Sequence, residues 1–284
     1  MSYYVATAKE EELSFASGPG RIAVRHWIPE GPPRAVVAIC HGLNSHSGQY
    51  GWTAERLVAA GFAVYALDLR GRGRSEGERF YVDSIGDYVD DVAGLIALAK
   101  SREGALPVFL LGHSAGGVVS CTYALDHPQG LAGLICESFA FQVPAPDIAL
   151  TILKGVSHLA PHAHVLSLKN EDFSRDPQVV AAMNADPLIK DESQPAQTVA
   201  ALVRADERLK KDFPKITLPV FILHGTADKA TRPSGSQFFH DTAGSADKTL
   251  KLYDGHFHDL LNDVGKEQVM ADILGWLEAR LPSR

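Results

Sequence analysis

The residues Gly112-His113-Ser114-Ala115-Gly116 form a G-x-S-x-G sequence, a pattern that can present a nucleophilic serine. The apolar run Val108–Leu111 precedes it, and a helix-forming stretch, Val118–Leu125, follows. A buried strand that turns sharply into a helix leaves the serine hydroxyl exposed, and the two glycines avoid crowding between strand and helix. The positive N-terminal end of that helix would lie where an anionic intermediate forms. This context predicts Ser114 as a nucleophile.

A serine becomes a nucleophile at neutral pH when a general base takes its proton and a carboxylate orients the base. Asp228 lies on a glycine-containing turn after the predicted strand Val220–Leu223, where a parallel sheet places functional groups. We predict that it is the orienting acid, since a catalytic acid is expected after a late strand. The alternative is a turn aspartate that bonds its own backbone.

The base is expected after the last predicted strand, Thr249–Tyr253, where His256 and His258 both occur. The chain order serine, acid, histidine is satisfied by either of them. His41 also precedes a glycine at a strand end, but it comes before the serine in the chain. We therefore interpret His41 as a residue that shapes its loop.

An oxyanion needs two backbone N–H donors. One is predicted at Ala115, directly after the serine, and the other in the loop after the strand that ends at Cys40. That loop reads His41-Gly42-Leu43-Asn44, and Leu43 is the predicted donor.

Other titratable residues receive structural interpretations. Glu137 ends a strand and could line the pocket or replace the acid. The glycine-rich segment after Asp68 lacks the G-x-G-x-x-G spacing of a phosphate loop, so we expect a structural loop in which Asp68 could contact Arg70. Three further aspartates near the histidines are expected to be solvated: Asp254, Asp259 and Asp263. Three histidines lack metal-site spacing and are expected to be surface or packing residues: His158, His162 and His164.

Short apolar runs alternate with helical stretches along the chain, which predicts an α/β fold with a mostly parallel central sheet flanked by helices. Two runs around Gly18-Pro19-Gly20 predict an antiparallel hairpin at the sheet edge. The further predicted strands are Ala35–Cys40, Phe62–Leu67, Val108–Leu111, Leu131–Cys136, Val220–Leu223 and Thr249–Tyr253. The predicted helices outside the insertion are Thr53–Ala60, Ser84–Lys100, Gly116–Asp126, Ser234–Thr242 and Lys266–Leu281.

The stretch between Cys136 and Pro219 is too long for a simple connection. Apolar residues at helical spacing occur around 148–160 and 198–209. We predict a core formed by residues 1–137 and 214–284, with residues 138–213 inserted as a helical cap or lid. The apolar face of 148–160 could bind a lipid chain or contact a membrane, or it could simply pack on the core.

Composition excludes several classes of protein. The chain has 284 residues, of which 45% are hydrophobic, and a formal net charge of −7 without a basic cluster, so nucleic acid is not an expected partner. No long apolar run predicts a membrane span, and the N-terminus lacks the features of a signal peptide. Cys40, Cys121 and Cys136 have no metal spacing and predict reduced core thiols, which indicates a cytoplasmic location. The predicted chemistry of serine, acid and histidine needs no cofactor, and neither a cofactor nor a metal is expected.

The chain resembles the monoacylglycerol lipase group of the α/β-hydrolases, also called serine aminopeptidase or lysophospholipase-like hydrolases. The resemblance covers residues from about Phe15 to Leu281. It rests on His41-Gly42, His46-Ser47-Gly48-Gln49-Tyr50, Asp68-x-Arg70-Gly71-x-Gly73-x-Ser75, Gly112-His113-Ser114-x-Gly116-Gly117, Asp186-Pro187-Leu188, Gly225-Thr226-Ala227-Asp228 and Tyr253-Asp254-Gly255-x-x-His258.

The resemblance implies a triad of Ser114, Asp228 and His258, because the family histidine stands third after the glycine of its turn. It also implies Leu43 and Ala115 as oxyanion donors and a single-chain acyl ester such as a monoacylglycerol as substrate. The chain departs from the family where Ala115 replaces a frequent methionine and where Phe139–Leu168 has little motif-level match. General carboxylesterase or lysophospholipase activity is the alternative, and a silent ligand-binding member of the fold is a remote one. The sequence predicts no oligomeric state.

Overall fold

The computed structural model describes residues 9–18, 20–143 and 154–281. Its central feature is an eight-stranded sheet. The strands of this sheet are β1 Lys9–Ser17, β2 Gly20–Ile28, β3 Ala35–Cys40, β4 Phe62–Leu67, β5 Val108–His113, β6 Gly133–Glu137, β9 Val220–Gly225 and β10 Lys248–Tyr253. Their order in the sheet is β1-β2-β4-β3-β5-β6-β9-β10.

The first two strands form an antiparallel hairpin at the edge, and β2 pairs antiparallel with β4. From β4 to β10 all pairings are parallel. The central strands are buried along their whole length, as their continuous apolar sequences require in a sheet covered on both faces. The predicted α/β fold and the edge hairpin are thereby confirmed.

Helices cover the two faces of the sheet. Helices α2 and α3 pack on one face through residues such as Val92 and Val118, and α1 and α8 pack on the other through Leu57 and Ile273. The helices outside the insertion are α1 Gly51–Ala59, α2 Ile85–Glu103, α3 Ala115–Asp126, α7 Pro233–Thr242 and α8 Lys266–Glu278. A 3₁₀ turn, Ser47–Tyr50, precedes α1. These bounds differ from the predicted ones by a few residues at the helix ends.

The segment between β6 and β9 contains helices and a small two-stranded sheet of its own. Its elements are α4 at 154–159, β7 His164–Leu166, a 3₁₀ turn Asn170–Asp172, α5 Pro177–Ala185, β8 Gln194–Pro195, α6 Ala196–Asp212 and a 3₁₀ turn Phe213–Lys215. The predicted helix around 198–209 is present as α6, which buries Thr198, Ala205 and Leu209. The predicted helix at 148–160 is observed over 154–159, and its residues up to 153 lie outside the described part.

The loop after β4 differs from the expectation in its contacts. Asp68 does not contact Arg70: its carboxylate accepts hydrogen bonds from the backbone N–H groups of Ser47 (2.7 Å) and Arg74 (2.8 Å). Arg70 instead pairs with Asp91 and Asp87 on α2. Gly73 has φ +50°, and a Cβ there would lie 2.3 Å from the Asp68 carboxyl carbon, so the loop winds tightly around this carboxylate.

Candidate active site

Ser114 lies at the sharp turn between β5 and α3, with φ +54° and ψ −121°. A non-glycine residue adopts this left-handed backbone only where the surroundings enforce it. The neighbouring glycines show how little room there is. A Cβ at Gly116 would lie 2.2 Å from the carbonyl oxygen of Cys40, and one at Gly112 would lie 2.5 Å from that of Gly116. Backbone contact between β3, β5 and α3 therefore fixes the serine.

The loop after β3 passes directly against this turn. A Cβ at Gly42 would lie 2.8 Å from Ser114 Cβ and 2.9 Å from the carbonyl oxygen of His113, so only glycine allows the approach. Leu43, the next residue, lines the same cavity as Ser114 and Ala115. The structure thus brings together the serine and both predicted oxyanion donors.

His41 is fully buried and uses both ring nitrogens to hold backbone. Its Nε2 accepts a hydrogen bond from Leu69 N–H (3.0 Å), so Nδ1 carries the proton that is donated to the Gly42 carbonyl oxygen (2.7 Å). Burial lowers the pKa of His41 to about 4, which keeps this neutral tautomer. Its contacts fit the interpretation as a residue that shapes its loop.

Asp228 and His258 are joined by a 2.8 Å hydrogen bond from Nδ1 of the histidine to Oδ2 of the carboxylate, and both side chains are fully buried. Asp228 Oδ1 accepts from the backbone N–H groups of Ala230 and Thr231. Burial alone would raise the pKa of Asp228, but the charge of His258 and hydrogen bonds from His224 and His258 lower it well below its ordinary value. The carboxylate therefore remains ionised at neutral pH.

The ring of His258 lies between the serine turn and the insertion. Its centroid is 5.0 Å from that of His113, which precedes Ser114, and 4.9 Å from that of Phe173, which packs edge-on. Its Nε2 is buried and has no hydrogen-bond partner among the described residues. Because Nδ1 donates to Asp228, Nε2 is the nitrogen left to accept a proton.

Two partners of Asp228 were not assigned a role from the sequence. His224 Nε2 lies 3.0 Å from Asp228 Oδ2, while its Nδ1 lies 2.7 Å from Ser236 Oγ. Thr231 donates its hydroxyl to the same Oδ2 at 2.7 Å. The sequence offered a local signal for both residues. His224 is the penultimate residue of β9, the strand that precedes Asp228, and Thr231 stands three residues after Asp228, where an aspartate turn places a backbone donor.

The side chain of His256 lies close to Asp263, whose Oδ2 is 3.8 Å from its Nδ1, and among the described residues no hydrogen bond or ion pair joins it to Asp228. Burial and the nearby Arg175 lower the pKa of His256.

The expectation that Asp259 and Asp263 are solvated is wrong, since they are 6% and 2% exposed. Asp263 is buried because it accepts hydrogen bonds from Phe257 N–H and from the backbone and guanidinium of Arg175. Asp254 is exposed, as expected.

Glu137 is fully buried at the end of β6, outside the cavity lining, and its Oε1 accepts a hydrogen bond from Leu261 N–H (3.0 Å). Burial, together with the charge of Asp259, raises its pKa well above the ordinary value. Among the described residues, Glu137, His113 and Asp259 have donor atoms within 4.8 Å of one another and could surround a cation. The closeness of these acidic groups is one cause of the raised pKa of Glu137.

A cavity of about 1190 Å³ opens at Ser114. The core contributes Leu43, Ala115 and Phe238 to its wall, and the segment between β6 and β9 contributes a set of apolar side chains. These include Val165, Leu166, Leu168, Phe173, Val199, Leu202 and Val203. Charged side chains of both signs also line it: Lys154, Lys169, Lys210, Lys229, Arg232, Asp172, Asp206 and Glu207. The cavity can therefore hold an apolar chain with one end at the serine.

Comparison with known proteins places this geometry in a family. The family described as "Serine aminopeptidase, S33" matches residues 31–265. A monoacylglycerol lipase of Mycolicibacterium smegmatis is 33% identical over 282 residues, which cover 98% of this chain and 100% of that protein. The human monoglyceride lipase is 32% identical over 262 residues, 90% of this chain and 86% of its own.

Solved structures share the fold over nearly the whole chain. The crystal structure of the Paleococcus ferrophilus monoacylglycerol lipase superimposes with a TM-score of 0.81 at 29% identity. The match covers 96% of this chain and 99% of that one. The shared fold thus includes the segment between β6 and β9 as well as the central sheet.

The buried acid predicts a measurable dependence of stability on pH. Because the pKa of Glu137 is raised from 4.5, the folded state holds its proton more tightly, and stability falls as pH rises above that value. Glu137→Gln removes this titration. We expect the free energy of unfolding of the variant, relative to wild type, to increase with pH above 4.5 by up to about 1.4 kcal/mol per pH unit.

Urea unfolding at a series of pH values measures this difference. Glu55→Gln, at an exposed position on α1, is the control and should give a curve parallel to wild type. A Glu137→Gln curve that also runs parallel to wild type would show that Glu137 is ionised in the folded protein.

Proposed function

Because this chain belongs to the serine aminopeptidase S33 family of α/β-hydrolases, we propose that it hydrolyses esters of single-chain acyl lipids, with monoacylglycerols as the preferred substrates. It is a serine ester hydrolase that acts on a small-molecule ester. The observation that carries the proposal is the hydrogen bond between Asp228 and His258 beside the Ser114 turn, under a largely apolar cavity.

In the proposed reaction, Ser114 Oγ attacks the ester carbonyl carbon while His258 Nε2 takes the hydroxyl proton. The tetrahedral intermediate collapses, the bond to the alcohol breaks, and His258 returns the proton to the leaving oxygen. Water then attacks the acyl-enzyme by the same proton relay and releases the acid. Asp228 remains ionised and stabilises the imidazolium that forms in each half.

We propose that the oxyanion is stabilised by the N–H groups of Leu43 and Ala115. Ala115 is the first residue of α3, so its N–H has no acceptor within the helix and points out of the N-terminal end. Leu43 belongs to a loop held against Ser114 by Gly42. Each such donor is typically worth about 10²- to 10³-fold in rate.

The substrate class is supported by the cavity and by the relatives. Its volume of about 1190 Å³ exceeds what a short acyl ester fills, and most of the lining from the insertion is apolar. The similar proteins from Mycolicibacterium and human are a monoacylglycerol lipase and a monoglyceride lipase. We therefore propose that the acyl chain lies beneath residues 138–213, which act as a cap over the strand ends.

The same segment is proposed to contact lipid surfaces transiently. Leu159 is 90% exposed and Val165 is 43% exposed, and Val165 also lines the cavity. Exposed apolar side chains on the segment that helps to line the cavity would bring the cavity to its substrate in a bilayer or micelle. Among the described residues no helix combines the length and apolar character needed to cross a membrane.

We also propose a cytoplasmic location. Cys40, Cys121 and Cys136 are free and buried, and the Sγ atoms of the last two lie 3.6 Å apart without a bond. Such thiols persist in a reducing compartment. Recovery of the protein in a secreted or extracytoplasmic fraction after cell fractionation would contradict this location.

Replacing the proposed nucleophile tests the reaction. Ser114→Ala should lower kcat/KM by at least about 10³-fold on every ester, because no other group can form the acyl-enzyme. The panel consists of p-nitrophenyl esters from short to long acyl chains together with 1- and 2-monoacylglycerols. Serine-dependent turnover with an optimum at medium or long chains is the expected result.

A short-chain optimum without glycerolipid turnover would instead indicate a general carboxylesterase. A catalytically silent binder would give no turnover, and its Ser114 would not be labelled by a fluorophosphonate. Wild-type rates in Ser114→Ala would exclude the mechanism.

The two histidines after β10 can be separated by substitution. His258→Ala should lower kcat by several orders of magnitude with KM nearly unchanged, because it removes the base but not the cavity. His256→Ala is the matched control two residues away and should retain kcat within about threefold, since its ring lies beside Asp263 and not Asp228. Steady-state kinetics on one soluble ester measures kcat for both variants. A larger loss of kcat in His256→Ala than in His258→Ala would identify His256 as the base.

The lipid-surface contact predicts an effect that depends on the physical state of the substrate. Leu159→Ser should lower activity on monoacylglycerol above its critical aggregation concentration several-fold, because partitioning to the surface weakens. Activity on a soluble p-nitrophenyl ester should be unchanged, since Leu159 is not part of the cavity wall. Leu252→Ser, at a residue 44% exposed on β10, is the control. Equal activity of both variants on aggregated substrate would argue against the contact.

A further inference from the structure

We propose that Glu192, which lies in the insertion, is a positioning residue for the oxyanion-binding loop. By accepting the N–H of Asn44 it fixes the backbone directly after Leu43. The proposal rests on the proposed function for the role of Leu43 itself. The insertion would then have two roles: it lines the cavity, and it holds the Leu43 N–H, one of the two proposed oxyanion donors, in place.

The backbone of Asn44 requires such support. Its φ is +50°, a left-handed conformation that a non-glycine residue keeps only when its surroundings hold it there. Three hydrogen bonds do so. Asn44 N–H donates to Glu192 Oε1 at 2.9 Å, and its side-chain Nδ2 donates to the Leu168 carbonyl oxygen at 3.2 Å and to Asn170 Oδ1 at 3.0 Å. All three acceptors belong to the insertion.

Leu43 is consequently held between two anchored peptide groups. The Gly42–Leu43 peptide is planar, so the hydrogen bond from His41 Nδ1 to the Gly42 carbonyl oxygen also sets the direction of Leu43 N–H. The next peptide, from Leu43 to Asn44, is fixed by Glu192. The first anchor comes from the core and the second from the insertion, and the N–H direction depends on both.

Glu192 is itself rigidly placed. Its side chain is 1% exposed, and Oε1 accepts hydrogen bonds from Asn44 N–H, from Gln194 Nε2 at 2.7 Å and from the guanidinium of Arg72. Arg72 is equally buried, donates through Nη2 to Gln194 Oε1 at 2.6 Å and through Nε to the Tyr88 hydroxyl at 3.0 Å. A buried carboxylate with three donors on one oxygen has little freedom to move.

A second tie strengthens the connection between loop and insertion. His46 Nδ1 accepts from Gly48 N–H, so its Nε2 carries the proton donated to Asp186 Oδ2 at 2.7 Å. Asp186 and Glu192 thus hold the loop at two points two residues apart. The loop cannot shift relative to the insertion without breaking both contacts.

The experiment compares Glu192→Ala with Thr198→Val. Thr198 is a fully buried residue of the insertion that ties it to the core through Phe80 O and Val82 N–H, without contact to residues 41–46. We expect Glu192→Ala to lower kcat by about 10- to 100-fold with KM within threefold, because an oxyanion donor acts in the transition state. Affinity for an alkyl trifluoromethyl ketone, whose adduct carries the oxyanion, should fall by a similar factor.

Thr198→Val should lower the thermal midpoint yet keep kcat within twofold at 25 °C. Glu192→Gln keeps an acceptor oxygen for Asn44 and should retain most of kcat. Should Glu192→Ala fail to fold, the double variant Arg72→Met/Glu192→Met replaces the buried ion pair by apolar side chains of similar volume, which proteins generally tolerate. It lacks the acceptor and should show the same loss of kcat.

Equal loss of kcat in Glu192→Ala and Thr198→Val, or a change confined to KM, would overturn the positioning role. The rate at which a fluorophosphonate labels Ser114 distinguishes failure of the positioning role from failure of the proposed function. If wild type cleaves no ester but Glu192→Ala is labelled at least 10-fold more slowly, the positioning role stands and the lipase proposal fails. If labelling rates are equal, the positioning role fails whatever the substrate.

Discussion

The backbone turn at Ser114 is the constraint on which the rest of the site depends. Holding a serine at φ +54° typically costs about 1–3 kcal/mol, and the surrounding packing must supply that energy. Three elements do so at backbone contact distance, since added Cβ atoms at Gly42, Gly112 and Gly116 would all lie closer than 3.0 Å to neighbouring atoms. Strand β6 also supports the turn, because Ser114 N–H donates to the carbonyl oxygen of Glu137 at its end. The packed backbone thus fixes the direction of the Ser114 Cα–Cβ bond, and the other residues of the site are arranged around it.

The buried histidines around that turn have different roles because their two ring nitrogens, Nδ1 and Nε2, have different hydrogen-bond partners. His41 bonds backbone at both nitrogens and is neutral, whereas His258 bonds a carboxylate at Nδ1 and keeps Nε2 unpaired among the described residues. His224 bonds the same carboxylate from the other side through Nε2. Asp228 is therefore held by two rings, a hydroxyl and two backbone N–H groups, so the carboxylate is ionised and its orientation is fixed before any substrate arrives.

The sequence predicts what depends on local pattern and fails where function depends on contacts between distant residues. The strands, the edge hairpin and α6 are predicted from the spacing of apolar residues. The chain order of Ser114, Asp228 and His258 identifies residues that the fold brings near the Ser114 turn. Asp263 looked solvated because a charged residue in a turn usually is, yet Arg175, 88 positions away, buries it. Glu192 stands 148 positions from Asn44, and no local spacing links the two. Polar side chains that join the insertion to the core are therefore the part of the site that sequence patterns do not reveal.

The side chains of the insertion fall into two groups: those that line the cavity, and polar ones that bind the loop after β3. Residues that line the cavity, such as Val199 and Leu202, contribute apolar surface, and exchanging one aliphatic side chain for another of similar volume alters the shape of the cavity without leaving a polar group unpaired. Residues that contact the loop after β3 have no such freedom. Removing Glu192 leaves the guanidinium of Arg72 buried without its charge partner, a change far costlier than the loss of one contact. The shape of the cavity can therefore change through its apolar side chains, while Asn170, Asp186 and Glu192 must keep their polar contacts to hold the loop after β3 in place.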